Sequence, residues 1–360
     1  MKAERLVGVG GIGTGVFFAL EGEHDLGRNE SRMARRLDVR DYCKLHIVAH
    51  YPARLLGARA SGSPFHVLPV GRVGQDTEAE RLLAEMTAAG MDTRFVQQAP
   101  GRPTLLSVCF QYPDGSGGNI TTSHSAGSSV SAADVDRAIG FLGGRTIALA
   151  APEVPLELRL HLLKRAGERG ALRVACLASA EAAEARAAGL FEHVDLLALN
   201  EDEAAAITGV PFAPGDPGRL LEALAATLAS RRRGVRLILT AGRHGAFGFA
   251  DGVWSHCPAL EVPVAGTAGA GDALLGGALT ALAAGIPFIP PGPPRDALAG
   301  RPLASALELG SCLAACAVTS PHTIPPGLDL PVLLAFAEQH GITFGDELRA
   351  LFPEASHAPS

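Results

Sequence analysis

The sequence predicts an α/β protein built on a doubly wound, mostly parallel sheet with helices on both faces, together with a small β lid. Short apolar runs typical of buried strands alternate with Ala- and Leu-rich helical stretches, and this pattern favours a parallel sheet covered by helices. A polar hairpin pattern at 104–123 and a charged segment at 21–41 interrupt the alternation. We expect these two segments to form a lid over the carboxyl ends of the strands, where ligands bind in such folds.

The apolar runs also give the order of the elements. Strands of the main sheet are predicted at 6–9, 66–70, 146–150, 173–177, 194–199 and 235–240, and a helix at 77–89. Lid strands are predicted at 104–112 and 119–123, joined by a turn at 113–118. We expect a single domain over 1–355, with lid segments at about 14–42 and 104–123. The Pro-rich stretch 285–302 is predicted to be an insertion between two helices, and the tail 356–360 to be disordered.

Composition narrows the class of protein. Apolar residues make up 47% of the 360 residues, which excludes global disorder. The net charge is −6, so we expect no nucleic-acid or membrane partner, and no apolar run is long enough to span a bilayer. Six cysteines without a CxxC pair predict reduced thiols and no zinc knuckle. These features favour a cytoplasmic protein that acts on a small molecule.

The glycine-rich stretch 266–272 carries the strongest chemical signal. Gly269, Ala270 and Gly271 precede Asp272 at the start of a predicted helix. A helix N-terminus offers unpaired N–H groups to an anion, and glycines let the backbone approach it closely. A carboxylate beside an anion site suits a group that takes a proton, so the pattern predicts phosphoryl transfer. The alternative is a tight turn in which Asp272 only caps the helix.

Two further segments follow predicted strands. Asn200 and Glu203 have the spacing of a capping box, or they organise magnesium and water around the phosphates of a nucleotide. Thr240, Gly242 and Gly245 offer a hydroxyl and open backbone to a nucleotide. They are equally consistent with a hairpin turn between 237–240 and 246–250, and both interpretations can hold together.

The run Gly8–Gly13 matches the dinucleotide-binding fingerprint. The second strand ending in an acidic residue that should follow about 20 residues later is absent. An NAD-dependent oxidoreductase is therefore an alternative that rests on this run alone.

The order of these motifs resembles that of the ribokinase family, the PfkB-type carbohydrate kinases. The turn at 71–76, the stretch 88–93 and the helix ending at 314–321 extend the resemblance over most of the chain. It implies ATP-dependent phosphorylation of an alcohol group. By this resemblance Asp272 is the general base and Gly269, Ala270 and Gly271 form the anion hole. It also implies nucleotide contacts from the positions that match the family's motifs: Asn200, Glu203, Thr240, Gly242, Gly245 and Thr267, with Glu203 acting on Mg²⁺ through water.

Departures from the family pattern cluster on the substrate side. Gly13-Thr14-Gly15 lacks the family's usual aspartate, 41–50 lacks its Gly-Gly and Asn, Ala178-Ser179 stands where Asp-Pro-Asn is common, and Gly266 replaces an Asp or Asn. We therefore expect a rebuilt substrate pocket. Its predicted contacts are polar residues on or near the lid: Thr14, Arg28, Asn29, His46, His50, Asn119 and His124. As alternatives, His46 and His50 are packed or surface residues of a helix, and Arg28 belongs to a solvated charged face.

The leading hypothesis is a kinase of a small carbohydrate-like or nucleoside-like alcohol, with ATP and Mg²⁺. The alternative from another class is a non-catalytic nucleotide or metabolite sensor on a kinase fold, supported by the lost substrate motifs. The retained Asp272 argues against a sensor, since a binding protein needs no base. Lid sheets of this kind often pair across a two-fold axis, so a homodimer through the lid is an open possibility.

Overall fold

In a computed structural model, the chain is described over residues 2–113, 117–292 and 295–352. The strands in these ranges are β1 Arg5–Val9, β2 Gly13–Leu20, β3 Ala34–Tyr42, β4 His66–Val73, β5 Val96–Gln98, β6 Leu105–Gln111, β7 Gly117–Thr121, β8 Thr146–Ala150, β9 Leu172–Cys176, β10 Leu196–Asn200, β11 Arg236–Thr240, β12 Ala246–Ala250 and β13 Val253–Cys257. The α-helices are α1 Lys44–Leu55, α2 Thr77–Ala88, α3 Ala132–Ala138, α4 Leu156–Gly167, α5 Ala182–Ala187, α6 Glu201–Thr208, α7 Gly218–Ala229, α8 Ala270–Ala284, α9 Ala306–Val318, α10 Leu330–Gln339 and α11 Asp346–Arg349.

The main sheet contains nine of the described strands, in the order β13-β12-β11-β10-β9-β8-β1-β4-β5. Every pairing from β11 to β5 is parallel, and β12 and β13 add an antiparallel edge. Alternate residues of one strand enter different apolar clusters. Leu6 of β1 packs in the cluster of α1, α8 and α9, whereas Val7 packs in that of α3 and α4. Both faces are thus covered by helices, which confirms the predicted doubly wound fold.

A separate sheet of four described strands, in the order β3-β2-β6-β7, forms the predicted lid. β6 and β7 lie within two residues of the predicted strands, and β2 and β3 come from the segment predicted at about 14–42. β2 leaves β1 at the carboxyl edge of the main sheet, so the lid stands over that edge. The predicted turn at 113–118 includes residues 114–116, which lie outside the described ranges.

The glycines of Gly8–Gly13 have a packing role, and the dinucleotide interpretation is wrong. This run connects β1 to a second strand, β2, whereas the fingerprint requires a helix whose N-terminus faces the pyrophosphate. A Cβ on Gly10 would lie 2.8 Å from the Cβ atoms of Leu45 and Ala151. The glycine is needed because α1 packs closely over β1.

The Pro-rich segment 285–302 lies between α8 and α9. Its residues 293 and 294, like the tail 356–360, lie outside the described ranges. Arg295 is buried, forms an ion pair with Glu308 of α9, and donates to the carbonyl oxygens of Leu298 and Arg301. One buried arginine therefore fixes this segment to the core.

All six cysteines lie in the described part of the chain and are free. Across the described ranges, no helix is both long and apolar enough to cross a bilayer.

Candidate active site

The first turn of α8 presents backbone amides at the carboxyl edge of the sheet. Gly269 caps this helix with φ of 80°, and a Cβ there would lie 2.6 Å from the carbonyl oxygen of Thr323, so only glycine fits. The amide of Ala270 donates to the carbonyl of Thr267 (3.3 Å). The next amides, of Gly271 and Asp272, have no acceptor within their own helix. Gly271 is exposed, so this turn can receive an anion.

Asp272 lies in this turn, partly buried beside Lys44. Burial raises the pKa of Asp272 to about 6; the Lys44 ammonium opposes this shift, and the carboxylates of Glu203 and Asp41 add to it. Burial alone would lower the pKa of Lys44, but Asp272 and Glu203 hold it above its ordinary value. Asp272 is therefore mostly ionised above about pH 6. Its pKa is close enough to neutral pH for the carboxylate to accept and release a proton.

Asn200 and Glu203 form the predicted capping box. Asn200 Oδ1 accepts from the Glu203 amide at 2.7 Å, and Glu203 Oε2 accepts from the Asn200 amide at 3.0 Å. Glu203 Oε1 lies 3.1 Å from Lys44 Nζ, which also donates to the carbonyl of Leu177 at 2.7 Å. The capping box therefore forms as the spacing predicts. It also directs the Glu203 carboxylate toward Lys44, which is the cation beside Asp272 among the described residues. The structural and functional interpretations are compatible.

The segment after β11 is the predicted hairpin. The Ala241 amide donates to the carbonyl of Gly245 at 2.8 Å, and Gly245 has φ of 85°. Thr240 pairs in register with Asn200 on the neighbouring strand. A Cβ on Gly271 would lie 3.5 Å from Thr240 Oγ1, so this hydroxyl stands beside the first turn of α8. Gly242 and Thr267 are exposed at the same edge.

A cavity of about 190 Å³ separates the lid from this edge. Its lid wall includes Thr14, Phe17, Asp41, Ser107, Cys109 and Asn119, and its other wall includes Lys44, Ile47, Glu153, Gly269, Asp272 and Thr323. Asp272 thus faces a space that both sheets enclose. A small molecule held there would lie against the carboxylate and the start of α8.

The predicted substrate contacts divide into two groups. Thr14 and Asn119 line the cavity. Arg28, Asn29, His46, His50 and His124 are not among its lining residues. Arg28 and Asn29 are exposed in the loop between β2 and β3, and His124 is exposed beyond β7.

The two histidines of α1 are packed side chains. His46 is 1% exposed and lies against Tyr42, with ring centroids 4.4 Å apart. Burial lowers the pKa of His46 to about 3 and that of His50 to about 4. Both are neutral at physiological pH, which matches the packing interpretation.

Three charged residues that line the cavity were missed from the sequence: Asp41, Lys44 and Glu153. Glu153 lies three residues after β8, so the rule that ligands meet the carboxyl ends of strands could have found it. It has φ of 73°, and its Oε2 is buried without a hydrogen-bond partner in the described structure. Burial raises its pKa to about 7. Asp41 and Lys44 flank the junction between β3 and α1, where no motif marks them.

The described residues contain no group of three or more His, Cys, Asp or Glu side chains able to hold a metal ion. Mg²⁺ in nucleotide sites keeps several waters and uses one or two carboxylates plus phosphate oxygens. Glu203 is the residue predicted for this indirect role; it is buried, and its two oxygens already accept from Lys44 Nζ and from the Asn200 amide.

The chain is similar to known proteins in sequence and in fold. Residues 48–329 match the model of the pfkB family carbohydrate kinases. The chain is 27% identical over 210 residues to the deoxyribokinase of Salmonella typhi, and this match covers 58% of the chain and 66% of that protein. A deoxyribokinase of Salmonella typhimurium matches to the same extent.

Solved structures share the fold. The ribokinase of Giardia lamblia superposes with a TM-score of 0.73 at 16% identity, over 92% of this chain and 99% of that one. The Arabidopsis thaliana ribokinase complexed with ribose and ATP gives 0.68 at 19% identity, over 93% and 98%. At these identities the likeness concerns the fold alone.

Proposed function

The chain belongs to the pfkB family of carbohydrate kinases, and we propose that it transfers the γ-phosphoryl group of ATP to a hydroxyl group of a small carbohydrate-like or nucleoside-like substrate. The observation that carries this proposal is the position of Asp272. Its carboxylate lies in the first turn of a glycine-capped helix and faces the cavity between lid and sheet.

In the proposed reaction, Asp272 takes the proton of the substrate hydroxyl as its oxygen attacks the γ-phosphorus. The bond from phosphorus to the bridging oxygen of the β-phosphate breaks, and ADP leaves. The predicted anion hole that stabilises the transferring group is the turn of Gly269, Ala270 and Gly271. The Gly271 amide there is free to donate, whereas the Ala270 amide would have to leave the carbonyl of Thr267. Lys44 adds a positive charge on the same side.

The nucleotide is proposed to lie along the exposed edge formed by Thr240, Gly242, Gly245 and Thr267. Asn200 and Glu203 would order the water around Mg²⁺, which neutralises phosphate charge when bound with the nucleotide. On the substrate side, Thr14 and Asn119 are the predicted residues that line the cavity. Arg28, Asn29, His46 and His50 have no place in the proposed pocket, because they lie outside its lining.

The decisive experiment is a measurement of ATP consumption with Mg²⁺ across a panel of sugars, nucleosides and polyols. Ribose and deoxyribose are tested first, because the similar proteins are named ribokinase and deoxyribokinase. Asp272→Asn is measured in parallel, with Asp202→Asn, an exposed residue of α6, as the matched control. We expect one compound to raise turnover in the parent and in the control and not in Asp272→Asn.

The same experiment separates a kinase from a sensor. A sensor would bind ATP and a metabolite without consuming ATP, and Asp272→Asn would leave its behaviour unchanged. Equal turnover in the parent and in Asp272→Asn would remove Asp272 as the base.

Two expectations about context remain proposals. We expect the protein to work in the cytoplasm. We also expect a homodimer through the lid, whose edge strand β7 is exposed along its length, and the mass in solution tests this.

A further inference from the structure

The cavity next to Asp272 has an unusual balance of charge. Its described lining includes the three carboxylates of Asp41, Glu153 and Asp272 and one cation, Lys44. Lys44 already pairs with Glu203 and donates to the carbonyl of Leu177. The walls therefore offer hydrogen-bond acceptors and little unpaired positive charge.

Asp41 enters the cavity from the lid because of a glycine opposite it. It is the penultimate residue of β3 and pairs with Gly15 of β2. A Cβ on Gly15 would collide with the carboxylate of Asp41, so the absence of a side chain at position 15 makes room for this group. The Thr14 hydroxyl donates to the carbonyl oxygen of Asp41 at 2.9 Å and holds its backbone in place.

The Asp41 carboxylate has acceptor capacity to spare. It receives hydrogen bonds from the Thr323 side chain and the Tyr42 backbone, and burial raises its pKa to about 6. No ion pair to Asp41 occurs among the described residues. An ionised carboxylate has about four acceptor positions, so positions remain for donors inside the cavity.

Glu153 gives an independent indication that donors are expected there. Its Oε2 is buried, and within the described ranges it has no hydrogen-bond partner. A buried oxygen without a donor is unfavourable. Glu153 is also one of the lining residues, so its carboxyl group offers a further acceptor to the hydroxyl groups of a ligand.

We propose that Asp41 is a specificity-determining residue whose carboxylate accepts hydrogen bonds from substrate hydroxyl groups and which, with Glu153, selects neutral polyhydroxylated substrates over sugar phosphates. This inference rests on the proposed kinase function.

The same carboxylates in the cavity lining would also exclude anionic substrates. A phosphate on the substrate would face Asp41 and Glu153, and like charges in contact are strongly disfavoured. Arg81 reaches the rim from α2 and donates to Thr14, but Glu78 and Glu85 already pair with it. Arg81 therefore supplies little charge to offset that repulsion.

The test compares the parent protein with Asp41→Asn, which keeps the shape of the side chain and removes its charge. Asp38→Asn is the matched control, because Asp38 lies three residues earlier on β3 and is exposed. The probes are D-ribose and D-fructose as neutral sugars and D-fructose 6-phosphate as an anionic one. Binding is measured by calorimetry in the presence of Mg²⁺ and a non-hydrolysable ATP analogue at pH 8, and turnover is measured with ATP.

We expect the parent to bind the better neutral sugar at least about 100-fold more tightly than fructose 6-phosphate. Asp41→Asn should weaken binding of the neutral sugar by about 10- to 100-fold, the range for a hydrogen bond to a charged group. Its KM for ATP should be unchanged, and Asp38→Asn should match the parent.

Tighter binding of fructose 6-phosphate by the parent, or unchanged binding of the neutral sugar by a folded Asp41→Asn variant, would overturn the inference. Because binding is measured without turnover, a protein that binds neutral sugars through Asp41 but consumes no ATP would refute the kinase proposal and leave this inference supported.

Discussion

Replacing Asp272 by asparagine separates the chemical role of the carboxylate from its effect on folding. Asparagine keeps the shape of the side chain but cannot take a proton from a hydroxyl. General-base catalysis contributes typically about 10²- to 10⁴-fold, or about 3–5 kcal/mol of barrier at 1.36 kcal/mol per decade. We expect kcat to fall by that factor while nucleotide affinity changes little, because the proposed anion hole consists of backbone amides.

The same Asp272→Asn variant should unfold less readily than the parent, although its kcat is lower. Burial raises the pKa of Asp272 from 3.8 to about 6 in the folded protein, so the ionised group disfavours folding above pH 6 by about 3 kcal/mol at most. Below pH 3.8 the group is protonated in both states and has no effect. Asp272→Asn should therefore be more stable than the parent at pH 8, by about 4 °C in Tm for a chain of this size, and the difference should shrink toward pH 4.

The assay pairs initial rates with thermal unfolding across pH, with Asp202→Asn as the control. A variant with parental kcat would refute the role of the base. A variant less stable than the parent at pH 8 would refute the electrostatic reasoning, since it would mean that the carboxylate stabilises the fold.

Three further outcomes are expected. The kcat of the parent should rise with pH and be half-maximal near pH 6, since the base must be ionised. Lys44→Met should move this midpoint to higher pH and Glu203→Gln should move it to lower pH. Shifts of the same sign in the two variants would contradict the assigned effects of Lys44 and Glu203 on the pKa of Asp272. Gly269→Ala should weaken ATP binding and lower the stability of the fold by more than Gly209→Ala. Both positions have positive φ, but only a Cβ at position 269 would contact backbone atoms. Calorimetry measures ATP binding and unfolding in urea measures stability; equal losses in the two variants would argue against the close approach of Thr323. Arg295→Met should destabilise the protein by about 3–5 kcal/mol, because it leaves Glu308 buried without its partner. The double variant Arg295→Met, Glu308→Met should recover most of this lost free energy of unfolding, measured in urea. A single variant as stable as the parent would show that the ion pair is dispensable.

The sheet and its helices could be predicted from the sequence because each buried strand is a short apolar run between helical stretches. The predicted helix at 77–89 differs by one residue from the observed Thr77–Ala88, and the predicted strand at 173–177 by one residue from Leu172–Cys176. The strands β2 and β3 were not identified individually. Both are mostly half-buried because they lie between the cavity and solvent, so their residues do not alternate cleanly between apolar and polar.

The two halves of the site differ in how far they could be predicted. The first turn of α8 and the capping box of α6 are local patterns, so the sequence alone shows their shape. The meeting of Asp41, Lys44 and Glu153 depends on how the lid sits over the sheet, which no short window of sequence contains. His46 was selected for its residue type, yet its packing against Tyr42 decides its environment.

One residue, Cys43, joins the lid strand β3 to α1, the first helix of the main domain. Its amide donates to the carbonyl of Gly13, where the lid strand β2 begins, so the connections of β2 and β3 to the main sheet are held at the same point. Asp41 lies on the lid side of this junction and Lys44 on the helix side. Under the proposed function, mutations in β3 would act on substrate selection, and the charge of Asp41 would also influence the pKa of Asp272. Such a division gives evolution a place to exchange one substrate for another, at the point where Gly13-Thr14-Gly15 and residues 41–50 depart from the family pattern.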